Sequence, residues 1–408
     1  MKVLHVNFSD MGGGAAIAAY LHHQAMLEHG YKSKMLVLDK KSNDPNIIKI
    51  KRSKFSELSK RILNKALSRL TNYYATWSNN IIGYDISNDE HIKDADIVII
   101  HWIGRNTISI KSIKKILQTG KPVYMFMHDM WAITGGCHYA LECTKYQTLC
   151  AACPHSNHGF GTKLKKDLSY WQFQEKLSQL TSYDNLNFVT PSEWLANKVK
   201  ESALFSNHQT TIVRNLLDIS IFKPLNKKRS REQLDLPIDR KLLLFGADNI
   251  VSPYKGWNLL RNALKSNDNR FDVVVYGICP EDIEAQIGVK CHKMGHISDI
   301  STIVKLYSAC DAFITSSIAE NYPNVLIEAM ACGLPCIGTD IGGIPEIIQN
   351  SVNGFIVPEL TSESIKQTIE KLIFLDEDSY TRMSNNARES IQHRNSYDIF
   401  YWKAILGY

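Results

Sequence analysis

The chain has no apolar run approaching the roughly 18 residues of a membrane span. Its first residues, Met1-Lys2-Val3-Leu4-His5-Val6-Asn7-Phe8, lack the long apolar core and small-residue cleavage site of a secretory leader. They read instead as a β-strand. Both absences lead to the expectation of a cytoplasmic protein. A strong charge of one sign is also missing: the formal net charge is +6 over 408 residues, too little to argue for a nucleic-acid partner. No internal repeat and no low-complexity tract interrupts a composition that is ordinary for a globular protein.

What is present is alternation. A chain of this length supports two domains of about 200 residues each. Apolar runs bounded by turn signals predict strands at Lys2–Phe8, Lys34–Asp39, Asp96–Trp102, Pro122–Asp129, Asn187–Pro191 and Thr211–Leu217. A helix is predicted at Ala15–His29, closed by Gly30. After the polar, Pro-containing stretch Asp218–Arg240 the series restarts, with strands at Leu242–Gly246, Phe271–Tyr276, Asp311–Ser316, Pro335–Gly338 and Phe355–Val357. Strand–helix alternation in both halves predicts an α/β protein with two parallel sheets covered by helices on both faces. The expected domains are 1–218 and 219–390. Residues 391–408 are expected as a C-terminal helix packing back on the first domain. Ligands of such sheets bind outside the carboxyl ends of the strands.

Two motifs follow strands. Asp10-Met11-Gly12-Gly13-Gly14-Ala15 opens the first helix. Its glycines permit close backbone approach to a ligand, and the helix N-terminus suits an anion. It has neither the spacing of a dinucleotide fingerprint nor the Gly-Lys-Ser/Thr of a P-loop, and a tight turn needing Gly is the competing reading. The second is Glu320-Asn321-Tyr322-Pro323-Asn324-Val325-Leu326-Ile327-Glu328. Pro323 suits a first helical turn, so Glu320 falls in the loop and Glu328 inside the helix. Backbone near Asn324 and Val325 is placed to take a phosphate. Two carboxylates flanking an anion site suit the hydroxyls on either side of a diphosphate; two solvated surface acids are the alternative.

Glu320 and Glu328, with seven residues between them, resemble the signature of retaining glycosyltransferase family 4, whose fold is GT-B. Thr339-Asp340-Ile341-Gly342-Gly343-Ile344-Pro345-Glu346, Tyr254-Lys255-Gly256, and Asn215 with Asp218 resemble further stretches of that family, in family order. The resemblance implies two facing Rossmann-like domains and metal-independent transfer from a UDP- or GDP-linked sugar. The implied acceptor is an oligosaccharide, on a lipid carrier, in bacterial surface polysaccharide assembly. Lys255 would neutralise the diphosphate as it leaves. Glu320 would contact the donor sugar and Glu328 the ribose. Asn324 and Val325 would take phosphate through their backbone, and Gly13 and Gly14 would admit the donor. His128, at a strand end, matches a family His that contacts sugar or acceptor; a structural histidine is the competing reading. Residues Gly246 to Tyr254 contain no Arg or Lys, where that family usually carries an Arg. A nucleotide-sugar 2-epimerase and a catalytically degenerate GT-B scaffold are the competing readings of the whole chain.

Four of the nine cysteines, Cys137, Cys143, Cys150 and Cys153, cluster in an insert spanning 131–160. Four thiolates so close in sequence can close a tetrahedral structural zinc site. The spacing departs from paired C-x2-C knuckles, and two disulfides or free buried thiols are the alternatives. The insert follows His128-Asp129-Met130-Trp131 and is similar to one in colanic acid and O-antigen enzymes of the family. Cys279, Cys291, Cys310, Cys332 and Cys336 read as small core residues. Between Lys49 and Tyr73, apolar Phe55, Leu58, Ile62, Ala66, Leu70 and Tyr73 recur at helical steps among Lys60, Arg61, Lys65 and Arg69. That pattern suits an anionic membrane surface on the inner face, or simple packing on the first domain. Asp94-Ala95-Asp96 precedes a strand and reads as a chance match to a metal motif.

Overall fold

A computed structural model describes residues 1–51, 76–155, 166–265, 270–394 and 400–406. The basic stretch 55–73 and insert residues 156–160 lie outside these. Two compact units result: Met1–Val213 together with Phe400–Leu406, and Arg214–Asp398.

The first unit holds β1 (Lys2–Ser9), β2 (Lys32–Asp39), β3 (Ile47–Lys49), β4 (Ile97–Ile100), β5 (Val123–Phe126), β6 (Leu186–Thr190) and β7 (Thr210–Ile212). They form one sheet in the order β3-β2-β1-β4-β5-β6-β7, every pair parallel. The second unit holds β8 (Lys241–Asn249), β9 (Phe271–Ile278), β10 (Cys291–Gly295), β11 (Ala312–Thr315), β12 (Cys336–Thr339) and β13 (Gly354–Val357). These are again all parallel, in the order β10-β9-β8-β11-β12-β13. Within each unit the first six strands therefore follow the same 3-2-1-4-5-6 order, which is that of a Rossmann domain.

Parallel sheets need cover on both faces, so their inner strands are apolar throughout. Val98, Ile99 and Ile100 of β4 and Phe313 and Ile314 of β11 are fully buried. Burying each such side chain contributes about 1.5–3 kcal/mol. Helix Ile110–Leu117 begins where Ser109 accepts a hydrogen bond from the Ser112 N–H and buries Ile110, Ile113, Ile116 and Leu117 on one face.

The edge strands β3 and β10 escaped sequence reading. In Cys291-His292-Lys293-Met294-Gly295 only Cys291 is buried and the other positions are part-buried or exposed, because an edge strand has a neighbour on one side only. The last strand of the first unit is also shorter than Thr211–Leu217. Leu217 instead joins the core of the second unit, which moves the division from 218/219 to 213/214. Ile391 is likewise buried in that core, so helix Glu377–Arg394 runs through the expected start of the tail at 391.

Phe400–Leu406 alone packs on the first unit. Its Trp402 is fully buried and donates its indole N–H to His22 Nδ1 at 3.0 Å. Trp402→Ala should destabilise the first unit by about 3–5 kcal/mol, seen as a lower denaturation midpoint. An unchanged midpoint would mean that this helix contributes nothing to the unit.

Candidate functional site

In the second unit three strand ends meet. The loop after β8 carries Lys255, the loop after β11 carries Glu320, and the loop after β12 carries Gly342. Lys255 Nζ reaches Glu320 Oε2 at 2.6 Å, with both side chains largely buried. The backbone ties the loops together: the Ile318 N–H donates to the Tyr254 carbonyl at 2.8 Å, and Ser316 Oγ to the Lys255 carbonyl at 2.9 Å. The Gly343 N–H donates to the Asn321 carbonyl at 2.8 Å. Two glycines make this possible. Gly256 and Gly342 have φ of +64° and +61°, and a Cβ there would lie 1.9 Å from the Ser316 oxygen and 1.7 Å from the Glu320 oxygen.

Helix Asn324–Ala331 starts directly after this loop, with Pro323 as its N-cap and no side-chain cap. Asn215 Nδ2 donates to the Tyr322 carbonyl at 3.1 Å and to Asn324 Oδ1 at 2.8 Å. The Asp218 carboxylate instead accepts from the Ser220 N–H and hydroxyl in a local turn. Arg214 stacks over the Tyr322 ring at 5.2 Å and pairs with Glu346. It is a guanidinium beside these loops that sequence reading did not single out.

Glu328, half-buried in the second turn of the helix, accepts a hydrogen bond from the Tyr307 hydroxyl at 3.0 Å. The Tyr276 hydroxyl lies 3.3 Å from that of Tyr307. Burial pushes the Glu328 carboxyl up to about 7, opposed by the Tyr307 hydrogen bond.

In the first unit the glycine-rich loop follows β1. Asp10 is buried and accepts from the Lys41 and Ser42 N–H groups at 2.8 Å each. Burial opposes its ionisation, yet these hydrogen bonds hold its carboxyl below the usual range. Gly13, at φ 81°, is the N-cap of helix Gly14–Glu28, while Gly14 is already helical. The left-handed requirement therefore falls on Gly12 and Gly13.

His128 lies two residues beyond β5, half-buried, with its Nε2 3.1 Å from His101 Nδ1. Burial lowers its imidazole to about 4. Asp129 next to it binds three groups: the Trp131 N–H, the Trp102 indole N–H and the His138 imidazole. His138 Nε2 in turn lies 2.8 Å from Ser78 Oγ. Ser78, His138 and Asp129 thus have the connectivity of a hydrolytic triad, but Ser78 is buried and also accepts from the Arg105 N–H, so the arrangement braces the loop. His101 and His138 were not singled out from sequence, although His101-Trp102 and His128-Asp129 both follow strands.

Cys137, Cys143, Cys150 and Cys153 line one small pocket. All nine cysteines are free thiols, so the disulfide alternative is not met. Among the described residues no group of three or more His, Cys, Asp or Glu side chains is arranged to hold a metal ion. Burial pushes the Cys150 thiol up to about 12 and the Cys153 thiol to about 11. The Gly135 N–H donates to Cys150 Sγ at 3.2 Å. Lys176, fully buried, donates to the Trp131 and Thr134 carbonyls and lies 3.8 Å over the Trp131 ring. Burial lowers its ammonium to about 7.

Residues 226–390 match the family profile described as glycosyl transferases group 1. That stretch lies within the second unit and covers less than half of the chain. Over 363 residues, 86% of each chain, this chain is 23% identical to the putative colanic acid biosynthesis glycosyl transferase WcaC of Escherichia coli K12. Over 110 residues it is 32% identical to the N-acetyl-alpha-D-glucosaminyl L-malate synthase of Bacillus anthracis, a match covering 25% of this chain and 29% of that protein. Its fold is similar to Anabaena HepE in complex with UDP-glucose, with a TM-score of 0.63 and 16% identity over 97% of this chain and 96% of that one. The fold is GT-B, two Rossmann-like domains, as in solved glycosyltransferase structures of similar fold. Among the described residues no helix is long and apolar enough to cross a membrane.

The raised Glu328 carboxyl makes stability depend on pH. Between the unfolded value of 4.5 and the folded value of about 7, the folded protein holds a proton that the unfolded chain releases. Stability is therefore lost as pH rises through that window. Glu328→Gln removes the penalty. It should match the wild type near pH 5 and exceed it by on the order of 2 kcal/mol near pH 8, read from thermal melts. A stability difference that does not widen with pH would contradict the assignment.

Proposed function

We propose that this protein is a retaining glycosyltransferase that moves a sugar from a UDP- or GDP-linked donor to an oligosaccharide, on a lipid carrier, in bacterial surface polysaccharide assembly. The observation that carries the reading is the 2.6 Å Lys255–Glu320 pair at the strand ends, beside a helix that opens without a side-chain cap. A diphosphate at that helix start gains from the aligned N–H groups and dipole. The Lys255 ammonium then neutralises the charge that develops as the sugar–phosphate bond breaks. Glu320, oriented by the same ion pair, accepts hydrogen bonds from donor sugar hydroxyls. Glu328 accepts from the ribose. Gly13 and Gly14 leave the first unit's loop free of side chains, which suits close backbone approach of a ligand. The donor class is supported by UDP-glucose in the Anabaena HepE complex, and the pathway by the name of the E. coli relative. No step assigned here uses a divalent cation. The proposed workplace is the cytoplasm, with the basic stretch 49–73 as a contact to an anionic membrane surface.

Thermal stability with UDP, GDP, ADP and CMP in millimolar amounts, without added metal, tests this. A nucleotide at 100 times its dissociation constant adds about 2.7 kcal/mol. Stabilisation by UDP or GDP alone is expected, lost in Lys255→Ala and Glu328→Ala. In transfer assays Lys255→Ala should lower kcat about 100-fold or more. Nucleotide binding with no transfer to any acceptor would favour the degenerate scaffold.

We also propose that the four insert thiolates hold a structural zinc. Among the described residues these sulfur atoms are not arranged to hold an ion; the reading rests on the four-thiolate donor set and on the cationic group beside it. Neutral thiols have no use for a buried ammonium, and among the described residues no carboxylate pairs with Lys176. A tetrathiolate zinc centre carries two negative charges, which Lys176 and the Gly135 N–H would offset. Elemental analysis should find about one zinc per chain, lost in Cys150→Ser with Cys153→Ser. A metal-free, fully folded protein would leave the cluster as packed thiols.

A further inference from the structure

Three histidines form a hydrogen-bonded row across neighbouring strands. His5 lies within β1, His101 directly follows β4, and His128 follows β5. His5 Nδ1 is 2.9 Å from His101 Nε2, and His101 Nδ1 is 3.1 Å from His128 Nε2. The strand order β1-β4-β5 places the rings side by side, stacked at 5.2 Å and 5.4 Å. His22 and Phe126 pack against the same row, so water has no access to His5 or His101.

Burial keeps His5 and His101 far below their ordinary values, and neighbouring imidazoles lower them further: His23 and His22 for His5, and His5 and His128 foremost for His101. Near neutral pH every ring is uncharged and has one N–H and one lone pair. His101, bonded through both nitrogens, must donate at one and accept at the other. The row is therefore directional and shifts only as a whole. In one direction His5 donates to His101 and His101 donates to His128. In the other, every donor becomes an acceptor.

The closed end decides between them. His5 Nε2 is buried without a hydrogen-bond partner among the described residues. A bare lone pair there is tolerated better than an orphaned N–H, because buried unpaired donors are the rarer defect. His5 therefore donates along the row.

We infer that His5 and His101 are positioning residues that hold His128 as its Nδ1–H tautomer, with Nε2 engaged as an acceptor. His128 then meets substrate as a hydrogen-bond donor to an oxygen, and not as a general base. This role in the reaction rests on the transferase reading above, whereas the tautomer is a property of the folded chain alone.

The two are separated by reading the tautomer directly. Nitrogen-15 spectra of the full-length protein labelled at histidine, assigned with His128→Asn, should show His128 protonated at Nδ1 and bare at Nε2. His101→Leu should turn His128 into a mixture of tautomers, and in transfer assays lower kcat about tenfold at unchanged donor KM, the size of one lost hydrogen bond to a reacting group. His101→Gln can accept from His5 through oxygen and donate to His128 through nitrogen, and should restore both. Should His101→Leu fail to fold, His5→Leu and the wild-type spectrum still decide. A wild-type His128 protonated at Nε2, or a tautomer indifferent to His101→Leu, overturns the inference. A correct tautomer in a protein without transfer activity overturns only the transferase reading.

Discussion

Both units depend on parallel strand pairing. When every strand runs one way, every strand-to-helix loop leaves the sheet along the same edge. The 3-2-1-4-5-6 order then decides which loops are neighbours. In the second unit β8, β11 and β12 are adjacent, which brings Lys255, Glu320 and Gly342 together from positions far apart in sequence. In the first unit β1, β4 and β5 are adjacent, and three imidazoles meet in the same way. The chemistry of each unit is thus a consequence of strand order and of the apolar residues that enforce it.

That arrangement leaves several polar groups inside, where each needs a partner. Lys255 and Glu320 satisfy one another. Glu328 leans on the Tyr307–Tyr276 hydroxyls and stays partly protonated as the result of burial. Lys176 has carbonyl oxygens and the face of Trp131. Asp129 gathers three donors and fixes the loop that carries His128. Such groups cost stability relative to apolar packing, and they concentrate around the strand ends that bear the candidate site.

Much of this was legible in the linear chain because the signals were local. Apolar runs of four to eight residues marked the inner strands, since those are covered on both faces. Pro323 marked a helix start and so separated the loop glutamate Glu320 from the helical Glu328. Edge strands β3 and β10 carried no such signal, having only one neighbour and a mixed burial pattern. The division between the units was misread by a few residues for a similar reason. Leu217 looks like the end of a strand, but its packing partners lie across the second unit's core.

By itself the sequence determined the secondary-structure alternation, the class of fold and the residue types at each strand end, because these depend on neighbours within about ten positions. Which of those residues touch was decided only by tertiary structure. Nothing in the sequence around Tyr307 announces that its hydroxyl serves Glu328, and nothing around His5 or His101 announces a row ending at His128. These contacts arise where strands distant in sequence pair side by side, and low-dielectric burial then changes the acidity of the groups so placed.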